Sequence, residues 1–277
     1  MHRSGTSAFA RALQVFGVSL GNHLLPSHPC NPKGFFEDAE VYAFNKALLG
    51  YLDQKWYDFP PPSAQRQRAL IKGGWGSAAI DLLQQKTAGI PVFGLKDPRL
   101  SILLPFWRPL LAKIDRQTQC LICLRNPDSV AHSLHRRDNM PAAKACALWI
   151  AHTLGALTGS TGLPRLCVGY EALLRDPVRQ LTRLGRELHL TPDINQQHVF
   201  LEEFLDARLC HHNSDDGSSP AGNDPHTKLA RDIHTALCTD DTSPLSPDDP
   251  AVIRLTGQWL LRFRALPLPD SPYAYEP

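Results

Sequence analysis

Three short, uninterrupted apolar runs, each followed by a helix-like stretch, limit what this chain can fold into more than any other feature. They are Pro91 to Lys96 (PVFGLK), Gln119 to Leu124 (QCLICL) and Arg165 to Gly169 (RLCVG). Continuous apolar runs of this length belong to strands covered on both faces, since alternation with polar residues is needed only where one face meets water. Each run ends abruptly: at Asp97-Pro98, at Arg125-Asn126-Pro127 and at Tyr170. Alternation of such strands with helices predicts an α/β fold, a parallel β-sheet flanked by helices, with ligands bound at the carboxyl ends of the strands. Lys96, Asp97, Arg125 and Tyr170 all stand at such ends.

The stretches between are read from their periodicity. A helix from Glu37 places Val41, Phe44, Leu48, Leu49 and Leu52 on one face, with Glu37, Asp38 and Glu40 in its first turn. KWYDFPPPS breaks the chain before a second helical stretch, Ala64 to Lys86, and SILLPFWRPLLAKI follows the first run. Ala142 to Leu157 is apolar on most sides and is expected to be buried; Asp176 to His189 is a further helix. Residues 22–36, with three prolines, read as a loop, and 213–225 as a mobile polar loop. Helices are expected at Lys228 to Leu237 and Asp249 to Phe263. The expected organisation is one domain over 1–277: a core of 1–205, C-terminal helices within 226–265 and a tail of 266–277.

At its start the chain reads His2-Arg3-Ser4-Gly5-Thr6-Ser7 and passes directly into a helical run that ends near Gly17. Small and hydroxylated residues let the backbone curl tightly. The helix behind then turns its unpaired N–H groups and partial positive charge toward whatever sits in the curl. Arg3 adds a permanent charge with a planar fork of donors. The same residues also suit an ordinary serine-rich helix cap.

A second anion-binding pattern is LRNPDSVAHSLHRRD. Arg125 closes a strand, Pro127 opens a helix, and Ser133 follows eight residues after the arginine, about two helical turns. His135, Arg136, Arg137 and Asp138 extend a charged face that reaches either a bound anion or only water.

HRSGTS resembles the 5′-phosphosulfate loop of the sulfotransferases, and RNP through Ser133 resembles their 3′-phosphate-binding segment. YEALLRDP resembles the family's Y-E-D-L…D-P segment, and NPKGFFED, LKDPRL and ALWIAHTLGAL are similar to bacterial P-loop sulfotransferases. The matches run in the family's order over about residues 1–190. The resemblance implies a P-loop NTPase-like three-layer sandwich. It also implies 3′-phosphoadenosine 5′-phosphosulfate as co-substrate, held by Arg3, Ser4, Gly5, Thr6, Ser7, Arg125 and Ser133, with Tyr170 against the adenine. In that family a hydrophobic strand precedes the loop; here the expectation is a truncated start, tested by translating the frame upstream.

Sulfuryl transfer to a hydroxyl is an in-line displacement that needs cations on the donor and a base for the hydroxyl proton. Arg3 and Lys96 are the expected cations. Glu37 is the first choice of base by resemblance to branches that use a glutamate, and Asp97 the second. Glu37 can instead be a helix N-terminal acid, and Asp97 can pair with Arg99 or cap the next helix. Pro98 stands where the cytosolic branch carries its histidine. The expected acceptor is a carbohydrate or small hydroxylated metabolite, with a pocket built from 22–36 and 53–66. Two other readings stay open. One is a P-loop kinase or NTPase, although the Walker lysine is missing. The other is a non-catalytic nucleotide-binding relic.

Composition narrows the partners. Basic residues number 29 against 27 acidic, which argues against a general nucleic-acid or membrane-surface binder. Seven scattered cysteines suit free thiols in a reducing compartment, and no signal peptide is visible, so a cytoplasmic protein is expected. Cys120 and Cys123 point to opposite faces of a strand, and Cys210-His211-His212 is too short a cluster for zinc, so no metal is assigned. Trp56, Trp75, Trp107 and Trp149 suit either stacking on a ligand or the core.

Overall fold

A computed structural model describes residues 1–205, 222, 224–238 and 243–269. The fold is mixed α/β, with a small parallel sheet flanked by helices. Strands β1 (Cys120–Leu124) and β2 (Arg165–Gly169) pair in parallel, Ile122 opposite Cys167. The two continuous apolar runs thus form strands within a residue of their expected limits.

Alternation along these strands sends side chains to two different cores. Leu121, Cys123, Leu166 and Val168 join the cluster built by α1 (Thr6–Gln14), with Leu181 and Leu184 of a later helix, Pro177–Leu188. Ile122, Leu124 and Cys167 face the opposite cluster. At its centre lies the helix Ala142–Gly159, buried on nearly every side as its all-round apolar sequence predicts. The helices Pro127–Asp138, Pro225–Leu237 and Pro250–Ala265 pack around it. Trp149 and Trp107 are fully buried, so these two tryptophans are core.

In chain order the helices after α1 are α2 (Ala39–Tyr51), α3 (Ala64–Leu70), α4 (Trp75–Thr87) and α5 (Leu100–Leu111). Then come α6 (Pro127–Asp138), α7 (Ala142–Gly159), α8 (Tyr170–Arg175), α9 (Pro177–Leu188) and α10 (Ile194–Val199). A π-helical turn, Phe200–Phe204, follows, and then α11 (Pro225–Leu237) and α12 (Pro250–Ala265). Among the described residues no helix is long and apolar enough to cross a membrane.

Several expectations need correction. The run at 91–96 is not a strand: its one ladder contact is a parallel bridge from Phe93 to Ser19. A strand needs a neighbour along its length, and 91–96 has one only beside Ser19. Gly94 is required there, since a Cβ would stand 2.7 Å from Leu20 Cδ2 and 3.0 Å from Val18 Cγ1. The stretch 64–86 is two helices, divided at Gly73-Gly74, where Gly74 takes φ 79°. The helix expected from Glu37 begins at Ala39, because the Asp38 side chain caps it by accepting from the N–H groups of Glu40 and Val41. Glu37 therefore lies before the helix, free of that capping task. Most of the loop expected at 213–225 and the end of the 266–277 tail lie outside the described residues.

Candidate functional site

The opening turn is held in an unusual backbone shape. Arg3 and Gly5 both have positive φ, 65° and 78°. Gly5 caps α1 with no side-chain hydrogen bond, while its carbonyl accepts from the N–H groups of Ala8 and Phe9. Only glycine fits, since a Cβ would stand 2.3 Å from Tyr170 Cδ2. Ser4 is buried, and the N–H groups of Gly5, Thr6 and Ser7 have no hydrogen-bond acceptor among the described residues. Such a terminus favours an anion.

The second motif lies directly against the first. Arg125 Nη1 donates to the carbonyl oxygen of Arg3 at 3.0 Å, and Arg3 Nε donates to Ser133 Oγ at 2.7 Å. The Arg125 guanidinium also lies over the Tyr170 ring, 4.7 Å from its centroid. Tyr170 thus sits between Gly5 and Arg125 and joins all three motifs in one place. Helix α6 is set by its own sequence: the Asn126 side chain accepts from the N–H groups of Asp128 and Ser129, and Pro127 occupies the first turn. That arrangement frees Arg125 at the strand end and aims Ser133 back at the turn. Arg125 Nε is buried without a hydrogen-bond partner among the described residues.

No family model, curated protein or solved structure matches the chain. The site is therefore read from its own chemistry.

The third component is an ion-pair network. Lys96 Nζ donates to Glu37 Oε1 at 2.6 Å, to the Phe35 carbonyl at 2.6 Å and to Ser7 Oγ at 3.4 Å. Arg99 Nη1 lies 3.8 Å from Glu37 Oε2 and donates to Asp97 Oδ1 at 3.0 Å. Burial pushes the Glu37 carboxyl above its ordinary range; Lys96 opposes that shift and Asp97 adds to it. A buried carboxyl raised in this way and beside a lysine is a candidate for proton transfer.

Asp97 has a different environment. Its side chain is fully buried and accepts from the backbone N–H and guanidinium of Arg99 and from Asn45 Nδ2 at 2.9 Å; Trp107 Nε1 donates to Asn45 in turn. These contacts suit a carboxylate that positions Arg99 and the end of the 91–96 run.

Cations outnumber carboxylates around the turn. Burial lowers the pKa of Arg3, and the charges of Arg137 and Arg125 lower it further. Arg137 turns inward, pairs with Asp138 at 2.5 Å and lies over the Trp56 ring, whereas His135 and Arg136 are exposed. Trp56 also packs on His2, with ring centroids 4.1 Å apart. His2 Nε2 is buried with no hydrogen-bond partner among the described residues, and burial together with Arg99 and Arg137 drives its pKa well below the ordinary value. Trp56, one of the four tryptophans offered for stacking or core, thus lies beside the turn, and His2 is a neighbour of it to which sequence reasoning gave no role. The signal for His2 was its adjacency to Arg3. No group of three or more metal-ligating side chains occurs among the described residues.

Proposed function

We propose that the chain transfers a sulfuryl group from 3′-phosphoadenosine 5′-phosphosulfate to a hydroxyl group of a carbohydrate or other small metabolite, within a P-loop-type three-layer sandwich. The observation that carries this reading is the contact of Arg125 and Ser133 with Arg3, which joins two anion-binding motifs at one point. The uncapped start of α1 and the unpartnered Arg125 Nε supply donors for a doubly anionic nucleotide. The donor, when bound, supplies an activated sulfuryl group.

The chain's own residues divide the work. Arg3 and the N–H groups of Gly5 to Ser7 hold the 5′-phosphosulfate, and Arg125 with Ser133 holds the 3′-phosphate. Tyr170 is the candidate adenine contact. Lys96 stabilises charge on the leaving oxygen, and Glu37 takes the acceptor's proton. Arg3 has to exchange Ser133 and the Cys30 carbonyl, its present partners, for the nucleotide's oxygens. A kinase reading needs Asp97 to hold magnesium, and that carboxylate is already engaged by Arg99 and Asn45. The test is incubation with donor labelled in its sulfuryl group and a panel of sugars and phenols. Label should pass to at least one acceptor in the wild type and to none in Glu37→Gln. A wild type that labels no acceptor counts against transfer and in favour of the binding relic.

A further inference from the structure

Residues 22–36, read from the sequence as a loop, lie across the opening turn and engage its donors with their own carbonyl oxygens. The Cys30 carbonyl accepts from Arg3 Nη1 at 3.0 Å. The Phe35 carbonyl accepts from Ser7 Oγ at 3.2 Å and from Lys96 Nζ at 2.6 Å. Asn31 Nδ2 donates to the same hydroxyl at 3.5 Å. Carbonyl oxygens carry partial negative charge, so Cys30 and Phe35 fill the positions that the oxygens of a bound anion would take. An anion seated on Arg3 and Ser7 competes with both.

The loop is pinned at its base. Leu25 N–H donates to the Glu37 carbonyl and Ala39 N–H to the His23 carbonyl, each at 2.8 Å. Past that point, residues 26–35 make no backbone–backbone hydrogen bond to the rest of the chain among the described residues. They bond to one another instead. Asn31 N–H donates to the His28 carbonyl at 2.6 Å, Gly34 N–H to the Asn31 carbonyl at 3.0 Å, and Asn31 Nδ2 to the Gly34 carbonyl at 2.7 Å. None of residues 26–36 is buried. A segment with internal bonds, little burial and a pinned base opens as one piece at low cost. Gly34 and Phe36, at φ 96° and 56°, stand at the end where such a movement pivots.

The far side of the loop is tied to the π-helical turn. Phe204 ends that turn, and its carbonyl, an orphan at a helix C-terminus, accepts from Lys33 Nζ. The Lys33 ammonium lies 5.3 Å from the centroid of the Phe204 ring, and the Phe36 ring meets the same ring edge-on at 5.6 Å. Phe204 is itself held by stacking on the buried Phe200, with centroids 5.6 Å apart.

We propose that residues 26–36 form an autoinhibitory lid over the anion site, closed by a latch of Lys33 and Phe36 on Phe204. An anion reaches Arg3 and Ser7 only when the Cys30 and Phe35 carbonyls leave. Its apparent affinity is therefore scaled down by the fraction of molecules whose lid is open, and weakening the latch tightens binding. Charge alone predicts the reverse for Lys33, since removing a cation near the site weakens the pull on an anion. The sign of the change thus separates a latch from an ordinary basic contact. The proposal rests on the opening turn as an anion site and not on which group is transferred there.

The test is calorimetry and stopped-flow binding of adenosine 3′,5′-bisphosphate to the wild type, Lys33→Ala and Phe204→Leu. Lys33 is exposed, and leucine keeps apolar volume beside Phe200, so the two variants disturb the fold in different and limited ways. Both should bind at least roughly threefold more tightly than the wild type, with the gain in the association rate and the dissociation rate unchanged. Equal or weaker binding in both variants, beside a wild type that binds, overturns the lid and leaves the anion site standing. Binding by none of the three proteins overturns both.

Discussion

The guanidinium of Arg125 donates to the carbonyl oxygen of Arg3 at 3.0 Å, a contact between residues 122 apart in the chain. It ties the end of β1 to the turn that opens α1. Ser133 adds a second tie through Arg3 Nε, and Tyr170 fills the space between Gly5 and Arg125. A cluster of guanidinium groups this close repels itself until an anion arrives.

Arg125→Ala should therefore remove the chain's preference for a 3′-phosphate. Charge-assisted hydrogen bonds of this kind are worth about 1.5–3 kcal/mol, or roughly ten- to a hundredfold in affinity. Adenosine 3′,5′-bisphosphate should weaken by that factor and AMP should barely change, read as thermal shifts over a ligand series. Equal loss for both nucleotides would place Arg125 elsewhere in the mechanism.

Gly5→Ala should be strongly destabilising, since the new methyl meets the Tyr170 ring at 2.3 Å from a backbone with φ 78°. A cost of about 1–3 kcal/mol is expected from the backbone alone, visible as a fall in Tm. Adding Tyr170→Ala should recover the steric part and leave the backbone part. A double mutant no more stable than Gly5→Ala contradicts this packing.

Glu37→Gln separates binding from proton transfer. The folded carboxyl titrates above its ordinary 4.5 because burial disfavours the charge. The sign follows: the folded state holds this proton more tightly, so the stabilisation is complete below 4.5 and is lost as pH rises through the raised folded value. Glu37→Gln should flatten that part of the stability profile, fold at least as well at neutral pH, keep nucleotide binding and lose transfer. Unchanged transfer would remove Glu37 as the base.

The Met1 ammonium gives the opposite slope. Its pKa falls from 8.0 to about 6 on folding, so the unfolded chain binds more protons between those values and stability rises with pH across that window. A shift of this size corresponds to about 3 kcal/mol. Lys96, Glu37, Asp97 and Cys123 face the same group. Denaturant titrations at pH 6 and pH 8 should show the gain, and N-terminal acetylation should abolish it. An acetylated chain with the same slope would assign the effect to another group.

Legibility in the sequence followed the range of the interactions. β1 and β2 were legible because an apolar run bounded by Pro, Gly or Asn carries its own limits. The run at 91–96 has the same composition and failed to become a strand, since pairing depends on a neighbour that composition does not encode. Gly73-Gly74 marked a break that helical periodicity across 64–86 concealed. Within the site, the HRSGTS turn and Arg125 were visible as local patterns. The links from Glu37 to Lys96, from Asn45 to Asp97 and from Trp107 to Asn45 cross 50 residues or more and have no local signature. For Arg137 the sequence leaves open a bound anion or only water; Trp56 and Asp138 draw it inward while Arg136 stays exposed.

The most direct measurement is calorimetry of the chain with adenosine 3′,5′-bisphosphate, AMP and ATP in the presence of a metal chelator. One nucleotide bridging the turn at Arg3 and the arginine at 125 predicts that the bisphosphate binds at least roughly tenfold more tightly than AMP without metal. Equal affinity for the bisphosphate and AMP, or binding of ATP alone and only once magnesium is restored, would contradict it.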